Sequence, residues 1–281
     1  MKKHDVALLV HSCDRYEFLF PGFEFFFSKY WNFDIPYRYY FATEEKQVQI
    51  KCFENILSGK GEWTERLVVL LNKIPEKYVL YFQEDMWLSE PVNAEFFSGI
   101  IDCVRQLDWQ QLKLHSSEVY TTIETPYFVE GFNLALLDNQ QSDFLMSHQV
   151  TLWNKEFLLQ QLQQPEHPWR NERKGTKRLR NLNAPIYHAD YFAENGKSAI
   201  NRNQKPVGRS CYYTVSINGT LHSNVVPFVR ELMQGNVAAQ EYAQQLEHHF
   251  ENQLTHDGKP RPRKVDIFKR VKNWIKGIVS S

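Results

Sequence analysis

One stretch constrains this chain more than any other: Tyr78-Val79-Leu80-Tyr81-Phe82-Gln83-Glu84-Asp85-Met86-Trp87-Leu88. Its first half is apolar, aromatic and β-branched over strand length, which predicts a buried strand. Two adjacent carboxylates, Glu84 and Asp85, then stand where that strand should end. Burying neighbouring charges is costly unless something compensates them. A divalent cation does so directly, because hard cations take carboxylate oxygens and keep coordination places for phosphates. In open α/β sheets the ligand crevice also lies beyond the carboxyl ends of the strands. The simpler alternative is that Glu84 and Asp85 open a solvated turn before Glu90-Pro91.

The surrounding sequence places this strand in a sheet. Val6-Ala7-Leu8-Leu9-Val10 is a continuous apolar run of strand length, as expected in a sheet covered on both faces. His11-Ser12-Cys13-Asp14-Arg15 follows as a polar loop, and Tyr16 to Trp31 reads as an aromatic-rich helix. Tyr37 to Phe41 is a second strand, and Trp63 to Ile74 a helix closed by Pro75. Strand, helix, strand begins an α/β fold with a mixed, mostly parallel central sheet flanked by helices. Pro91 to Leu107 reads as a further helix and Leu112 to Leu114 as a short strand. Residues 119–137 read as two extended segments around Gly131. From Ser147 the pattern turns helical, with Asn154 a candidate cap, and 185–192 is another strand.

Composition removes several classes. Lys plus Arg and Asp plus Glu both number 33, so the average charge says nothing of a polyanionic partner, but residues 1–230 carry no basic stripe and no nucleic-acid partner is expected. Cys13, Cys52, Cys103 and Cys211 are widely separated with no CxxC pair, which predicts free thiols of a reducing compartment. No signal peptide is expected from the first residues, and no apolar run approaches the ~20 residues that cross a bilayer. The expected location is cytoplasmic, with any membrane contact peripheral to the inner face.

The motifs in order are His11-Ser12-Cys13-Asp14-Arg15-Tyr16, Trp63-x-x-Arg66-Leu67, Leu80-x-x-x-Glu84-Asp85, Gln149-x-x-Leu152-Trp153-Asn154 and Pro168-Trp169-x-x-Glu172-x-x-Gly175-Thr176-x-Arg178. Together they resemble bacterial surface-polysaccharide (capsule or lipopolysaccharide) glycosyltransferases of the GT-A fold, over roughly residues 5 to 200. The adjacent Glu84-Asp85 departs from that family's usual Asp-x-Asp form. The resemblance implies a GT-A-like catalytic domain over 1–235, with a donor-binding half over about 1–110 and an acceptor-binding half over about 111–235. It implies a nucleotide-sugar donor, expected to be UDP-linked, a saccharide or lipid-linked acceptor, and a Mn2+ or Mg2+ ion.

Residue roles follow from that resemblance. Asp85 is the first candidate metal ligand and Glu84 the second, with His188 a candidate to complete the shell. His11, Ser12, Asp14 and Arg15 stand where such enzymes hold base, ribose and phosphate. Arg66 is a further phosphate candidate because a guanidinium matches phosphate geometry, its alternative being an ion pair with Glu62 or Glu65. An inverting transfer needs a base for the acceptor hydroxyl. Glu172 is the first choice and Glu166 the second, the alternative for Glu172 being ion pairs with Arg170, Arg173 or Arg178. His148, Trp153, Trp169 and Arg178 are expected on the acceptor side.

Residues 236–281 are expected to form a helical extension: a polar helix and spacer, then a basic amphipathic helix. Phe268, Val271, Ile275 and Ile278 recur at helical spacing with Lys269, Arg270, Lys272 and Lys276, a pattern suited to an anionic membrane surface. Two other functions stay open. A sugar-phosphate nucleotidyltransferase would favour a glycine-rich, lysine-bearing loop after the first strand, which His11 to Arg15 lacks. A non-catalytic sugar- or nucleic-acid-binding protein would leave Glu84, Asp85 and Glu172 without a task.

Overall fold

The first strand, β1 (Val6–His11), is apolar on both faces because it lies inside the sheet, with β2 (Arg38–Thr43) on one side and β4 (Tyr78–Gln83) on the other. This computed structural model describes residues 5–107, 109–116, 118–197 and 208–261. Both pairings of β1 are parallel, and β3 (Glu54–Leu57) adds a parallel edge to β2. Sequence reading passes over β3 because its four residues include two polar ones and stay only half-buried at the edge. Two helices follow the chain between these strands: α1 (Phe20–Tyr30), entered through a 3-10 turn over Asp14–Leu19, and α2 (Trp63–Lys73). Glu62 and Glu65 start α2 with a capping box, in which each side chain bonds to the backbone at the other position.

Register decides what the sheet can do. Val10 lies opposite Phe82 and His11 opposite Gln83, so β1 and β4 end side by side. The loop beginning Ser12-Cys13 therefore stands next to Glu84-Asp85, although 70 residues separate them in the chain. A turn at Glu84-Asp85 leads into β5 (Met86–Leu88), followed by α3 (Ala94–Leu107) and β6 (Gln111–His115).

Beyond β4 the sheet becomes mixed. Four short strands follow β6: β7 (Thr122–Ile123), β8 (Phe128–Val129), β9 (Phe132–Asn133) and β10 (Ala135–Leu137). Of these, β8 and β9 form a separate hairpin around Gly131. Next come β11 (Thr151–Asn154), α4 (Lys155–Gln161), α5 (Pro168–Leu182) and β12 (Ile186–Glu194). The order across the main sheet is β3-β2-β1-β4-β11-β6-β12-β10-β7, with β11 antiparallel to both its neighbours and β12 parallel to β6. The stretch from Ser147 thus enters a strand before the helix, and Asn154 caps α4 by accepting from the Phe157 N–H at 3.2 Å.

A register shift between His188 and Phe192 lets the end of β12 take a new parallel partner, β13 (Ser210–Thr214), which runs antiparallel to β5. The Val215 N–H then donates to the Asp85 carbonyl at 2.9 Å, so the acidic turn is clamped from its far side. Trp87 holds it from below, its indole N–H donating to the Glu84 carbonyl at 3.1 Å. Gly22 of α1 permits this: a Cβ there would lie 2.1 Å from the Trp87 ring. Next come the hairpin β14 (Ser216–Ile217) and β15 (Thr220–Leu221), then α6 (Val226–Leu232) and α7 (Val237–Glu251).

Alternate residues feed two cores. Leu8, Val10, Leu80 and Phe82 pack under α1, α3, α6 and α7, while Ala7, Leu9, Val79 and Tyr81 pack under α2, α4 and α5. Much of the aromatic content is spent here, for example on Phe23, Phe26, Phe27, Phe96 and Phe97, all buried. Within 236–260 the expected helix forms as α7, but it packs into the fold and is not a spacer. Ala239, Ala243 and Leu246 of α7 are buried in the first core, and the Tyr242 hydroxyl donates to the Phe18 carbonyl at 2.9 Å. The amphipathic segment expected from Phe268 onward lies outside the described residues. Among the described residues no helix is long and apolar enough to cross a membrane.

Candidate active site

At the carboxyl ends of β1 and β4 lies a cleft of about 250 Å3. Its walls are His11, Ser12 and Cys13 after β1, Arg15 and Tyr16 of the 3-10 turn, Trp63 and Arg66 of α2, Gln83, Glu84 and Asp85, and Pro168 opening α5. Five expected donor-side residues, His11, Ser12, Arg15, Arg66 and Glu84, therefore share one cavity with Asp85. Arg66 pairs with neither Glu62 nor Glu65, both engaged in the capping box. It reaches into the cleft instead, donating to the Ser12 carbonyl at 3.3 Å and pairing with Glu44 at 3.2 Å. His11 is buried, its Nδ1 3.0 Å from the Tyr81 hydroxyl and its ring against Trp63.

Asp14 departs from expectation. Its carboxylate accepts the backbone N–H groups of Glu44, Glu45 and Lys46 at 2.9, 3.1 and 3.1 Å. It does not line the cleft; it pins the loop after β2, which is how Glu44 comes to meet Arg66. A ribose role is thereby corrected to a scaffolding one.

The cleft's charges are poised. Burial pushes the Asp85 carboxyl up to about 7, and burial together with Asp85 pushes Glu84 well above the usual carboxylate range. Burial, then the charge of Arg66, keeps the His11 imidazole neutral, and burial pushes the Cys13 thiol up to about 11. Two adjacent carboxylates that resist ionising form a donor set a divalent cation would satisfy, since Mg2+-type sites use one or two carboxylates plus phosphates. Among the described residues no three His, Cys, Asp or Glu side chains gather for a metal.

His188 does not belong to that set. Along the register Tyr81, Thr151, Lys113, His188 it stands three strands from β4, about 14 Å at the usual strand spacing. Its Nε2 lies 2.9 Å from the His115 carbonyl in the interior. A histidine so placed cannot share a cation with Asp85, so the expected ligand role is corrected.

The expected acceptor-side residues separate. Trp169 is 68% exposed at the start of α5, next to the cleft-lining Pro168. Trp153 is 1% exposed and packs on Phe157 in the second core, so contact with an acceptor is ruled out. Arg178 is spent on Glu166, its two Nη atoms meeting the two carboxylate oxygens at 3.1 and 3.0 Å. Asn171 adds a third bond to Glu166 at 2.9 Å. Burial alone would raise the Glu166 carboxyl, but Arg178 and Asn171 outweigh it and hold it below the usual range. An acid so paired anchors α5 to the preceding loop, and neither partner is left for base or acceptor duty.

Glu172 faces inward. Its Oε1 accepts the His148 N–H at 2.9 Å, and burial raises its carboxyl while that bond and Lys113 oppose the rise. Arg178, one of its expected ion-pair partners, is already engaged by Glu166. Glu172 lies four residues after Pro168, one turn along the same helix face. His148 is buried under Trp63, ring centroids 4.3 Å apart, and burial pulls its imidazole down to about 3. It is a wall behind the cleft.

Sequence reading missed Lys113. In Gln111-Leu112-Lys113-Leu114-His115 the polar residues alternate as on a solvated strand face, yet all five are buried. The available signal was that a strand between two covered faces has no solvent side.

No protein-family model matches the sequence, and no curated protein matches it. Solved structures with partial likeness include S. aureus TarS 1–349, at 12% identity and TM-score 0.46 over 88% of this chain and 71% of that one. The same protein in complex with UDP-GlcNAc gives 12% identity and TM-score 0.45, over 88% and 72% of the two chains. A CMP:2-keto-3-deoxy-manno-octonic acid synthetase complexed with CTP gives 13% identity and TM-score 0.40, over 66% of this chain and 88% of that one. Likeness at this level leaves the chemistry to be argued from the cleft itself.

Proposed function

We propose that this chain is a metal-assisted glycosyltransferase that moves a sugar from a nucleoside-diphosphate donor, UDP-linked in the first instance, to a saccharide or lipid-linked acceptor in bacterial surface-polysaccharide synthesis. One observation carries the reading: a single cleft sets Arg15 and Arg66 beside the buried Glu84-Asp85 turn, at the carboxyl ends of two adjacent parallel strands. Guanidinium groups match phosphate oxygens, and the carboxylates match a divalent ion, so together they suit a diphosphate and its counter-ion. Asp85 and Glu84 would hold the ion, which supplies electrostatic stabilisation to the leaving diphosphate. Arg66, steadied by Ser12 and Glu44, would bind the phosphates in a fixed direction. Trp63 and Tyr16 provide ring faces in the same cavity for the base or sugar.

In the transfer, the acceptor hydroxyl oxygen forms a bond to the anomeric carbon while the bond from that carbon to the phosphate oxygen breaks. The hydroxyl proton passes to the Glu172 carboxylate, and nucleoside diphosphate departs. Attack from the opposite face inverts the anomeric centre. Exposed Trp169, one residue from the cleft, is the acceptor platform.

A thermal-shift panel of UDP, CDP, GDP and their sugars, with manganese or with chelator, tests the reading, because a ligand of the folded state raises the midpoint. A UDP-sugar shift that requires manganese supports it. A response to nucleoside triphosphates with pyrophosphate release would move the chain to nucleotidyl transfer.

A further inference from the structure

We propose that Lys113 is a positioning residue for Glu172: a buried ammonium, tethered by Ser147, that keeps the Glu172 carboxylate ionised and seated on the His148 N–H. The inference rests on Glu172 serving as the base.

The geometry is a bracket around two consecutive residues. Lys113 Nζ donates to the Ser147 hydroxyl at 2.8 Å, and the next residue, His148, donates its backbone N–H to Glu172 at 2.9 Å. Lys113 is 0% exposed on β6, in the middle of the sheet. A fully buried lysine is rare unless a charge or chemistry requires it. The segment between the two groups cannot drift. Thr176 of α5 accepts the Met146 hydrogen bond at 3.2 Å, and a Cβ on Gly175 would lie 2.7 Å from the Met146 side chain, so helix and segment touch closely. Cation and carboxylate are thus bonded to consecutive residues of one held strip.

Other groups face this pair from the neighbouring elements. His148 is kept neutral by burial and then by the Lys113 charge; Tyr81 of β4 and Tyr120 keep their protons because of burial. Glu194 of β12 is held above the usual carboxylate range by burial and is relieved by Lys197. None of these supplies positive charge to Glu172, whereas Lys113 does. Burial in turn pulls the Lys113 ammonium down to about 7, and the Glu172 charge opposes that fall. The pair therefore holds opposite charges only below that pH. A half-buried carboxyl raised in this way would otherwise favour its protonated form and could not accept the acceptor's proton.

The test is a pair of pH series on the full chain, one without any substrate. Urea midpoints of wild type, Glu172→Gln, Lys113→Met and the double variant are measured from pH 4.5 to 8.5. Burial raises Glu172, so its protonated form stabilises the fold at low pH, and that contribution is lost as pH rises through its folded-state value. The pH at which wild type and Glu172→Gln stop diverging marks that value. In the Lys113→Met background it should rise by about one pH unit, and the coupling between the two sites should fade above pH 7. A coupling that is flat with pH, or an unmoved endpoint, overturns the proposal. Should Lys113→Met fail to fold, Ser147→Ala, which removes the hydroxyl bonded to Lys113 Nζ and also its bond to Tyr120, must move the endpoint in the same direction; no movement is again fatal. In the second series the acid limb of kcat should shift upward in Lys113→Met and Ser147→Ala. Absence of turnover with every donor would sink the transferase reading while the urea series still decided the Lys113–Glu172 coupling.

Discussion

Arg178 sets its two Nη atoms on the two carboxylate oxygens of Glu166, at 3.1 and 3.0 Å, and this forked pair joins the loop before α5 to the helix itself. Both residues come from the charge-dense segment that sequence reading assigned to base and acceptor contacts. Their mutual use leaves Glu172 as the inward-facing acid of that segment, and it seats the start of α5 against the cleft.

Removing one partner should therefore be costly. Arg178→Ala takes the two-pronged partner from the buried Glu166, leaving only Asn171 and the more distant Lys174, and should destabilise the fold by about 3 kcal/mol at pH 7 in urea melts. Because Glu166 is held below its unfolded value, the pair's contribution is present above about pH 4.5 and is lost as pH falls through the folded value. The gap between wild type and variant should narrow in acid. A gap independent of pH would show that Arg178 acts by packing alone.

Asp85→Asn should remove the manganese-dependent part of UDP binding without lowering the thermal midpoint of the metal-free protein. The amide keeps the shape while discarding a poorly compensated buried charge. Calorimetry with and without chelator measures the first half, and an unchanged metal dependence would exclude Asp85 as a ligand.

Arg66→Lys retains the positive charge but not the planar fork that meets Ser12 and Glu44 and that the proposed diphosphate site requires. UDP affinity should fall by about tenfold to a hundredfold, the range of one charge-assisted hydrogen bond. Equal affinity by calorimetry would confine Arg66 to holding the Ser12 loop.

The two tryptophans should part company. Trp153→Ala opens a cavity in the second core and should cost about 3–5 kcal/mol in a urea melt. Trp169→Ala, at a surface position, should leave the melt within about 0.5 kcal/mol of wild type and raise the acceptor KM. Destabilisation by the Trp169 variant would place that ring in a packing role.

The runs 6–10 and 78–83 were legible because a continuous apolar strand has few places to go except the inside of a covered sheet. Asn154 was legible as a cap because capping is local. The roles of Asp14, Trp153 and His188 were not. Asp14 looks like any polar loop carboxylate until the loop after β2 folds onto it. Trp153 lies in a motif beside a cap, and strand pairing then turns it into the core.

What the sequence alone determined is the set of local facts: which segments are apolar, where helices can start, and that Glu84 and Asp85 follow directly on a buried strand. The tertiary structure decided partnership. Parallel register put Ser12 and Arg66 beside those carboxylates, while three strand widths removed His188 from them. Burial on both faces turned Lys113 from a surface-patterned lysine into an interior one bonded to Ser147. The physical reason is that pattern and propensity act over a few residues, whereas desolvation and charge pairing depend on neighbours that only chain closure supplies.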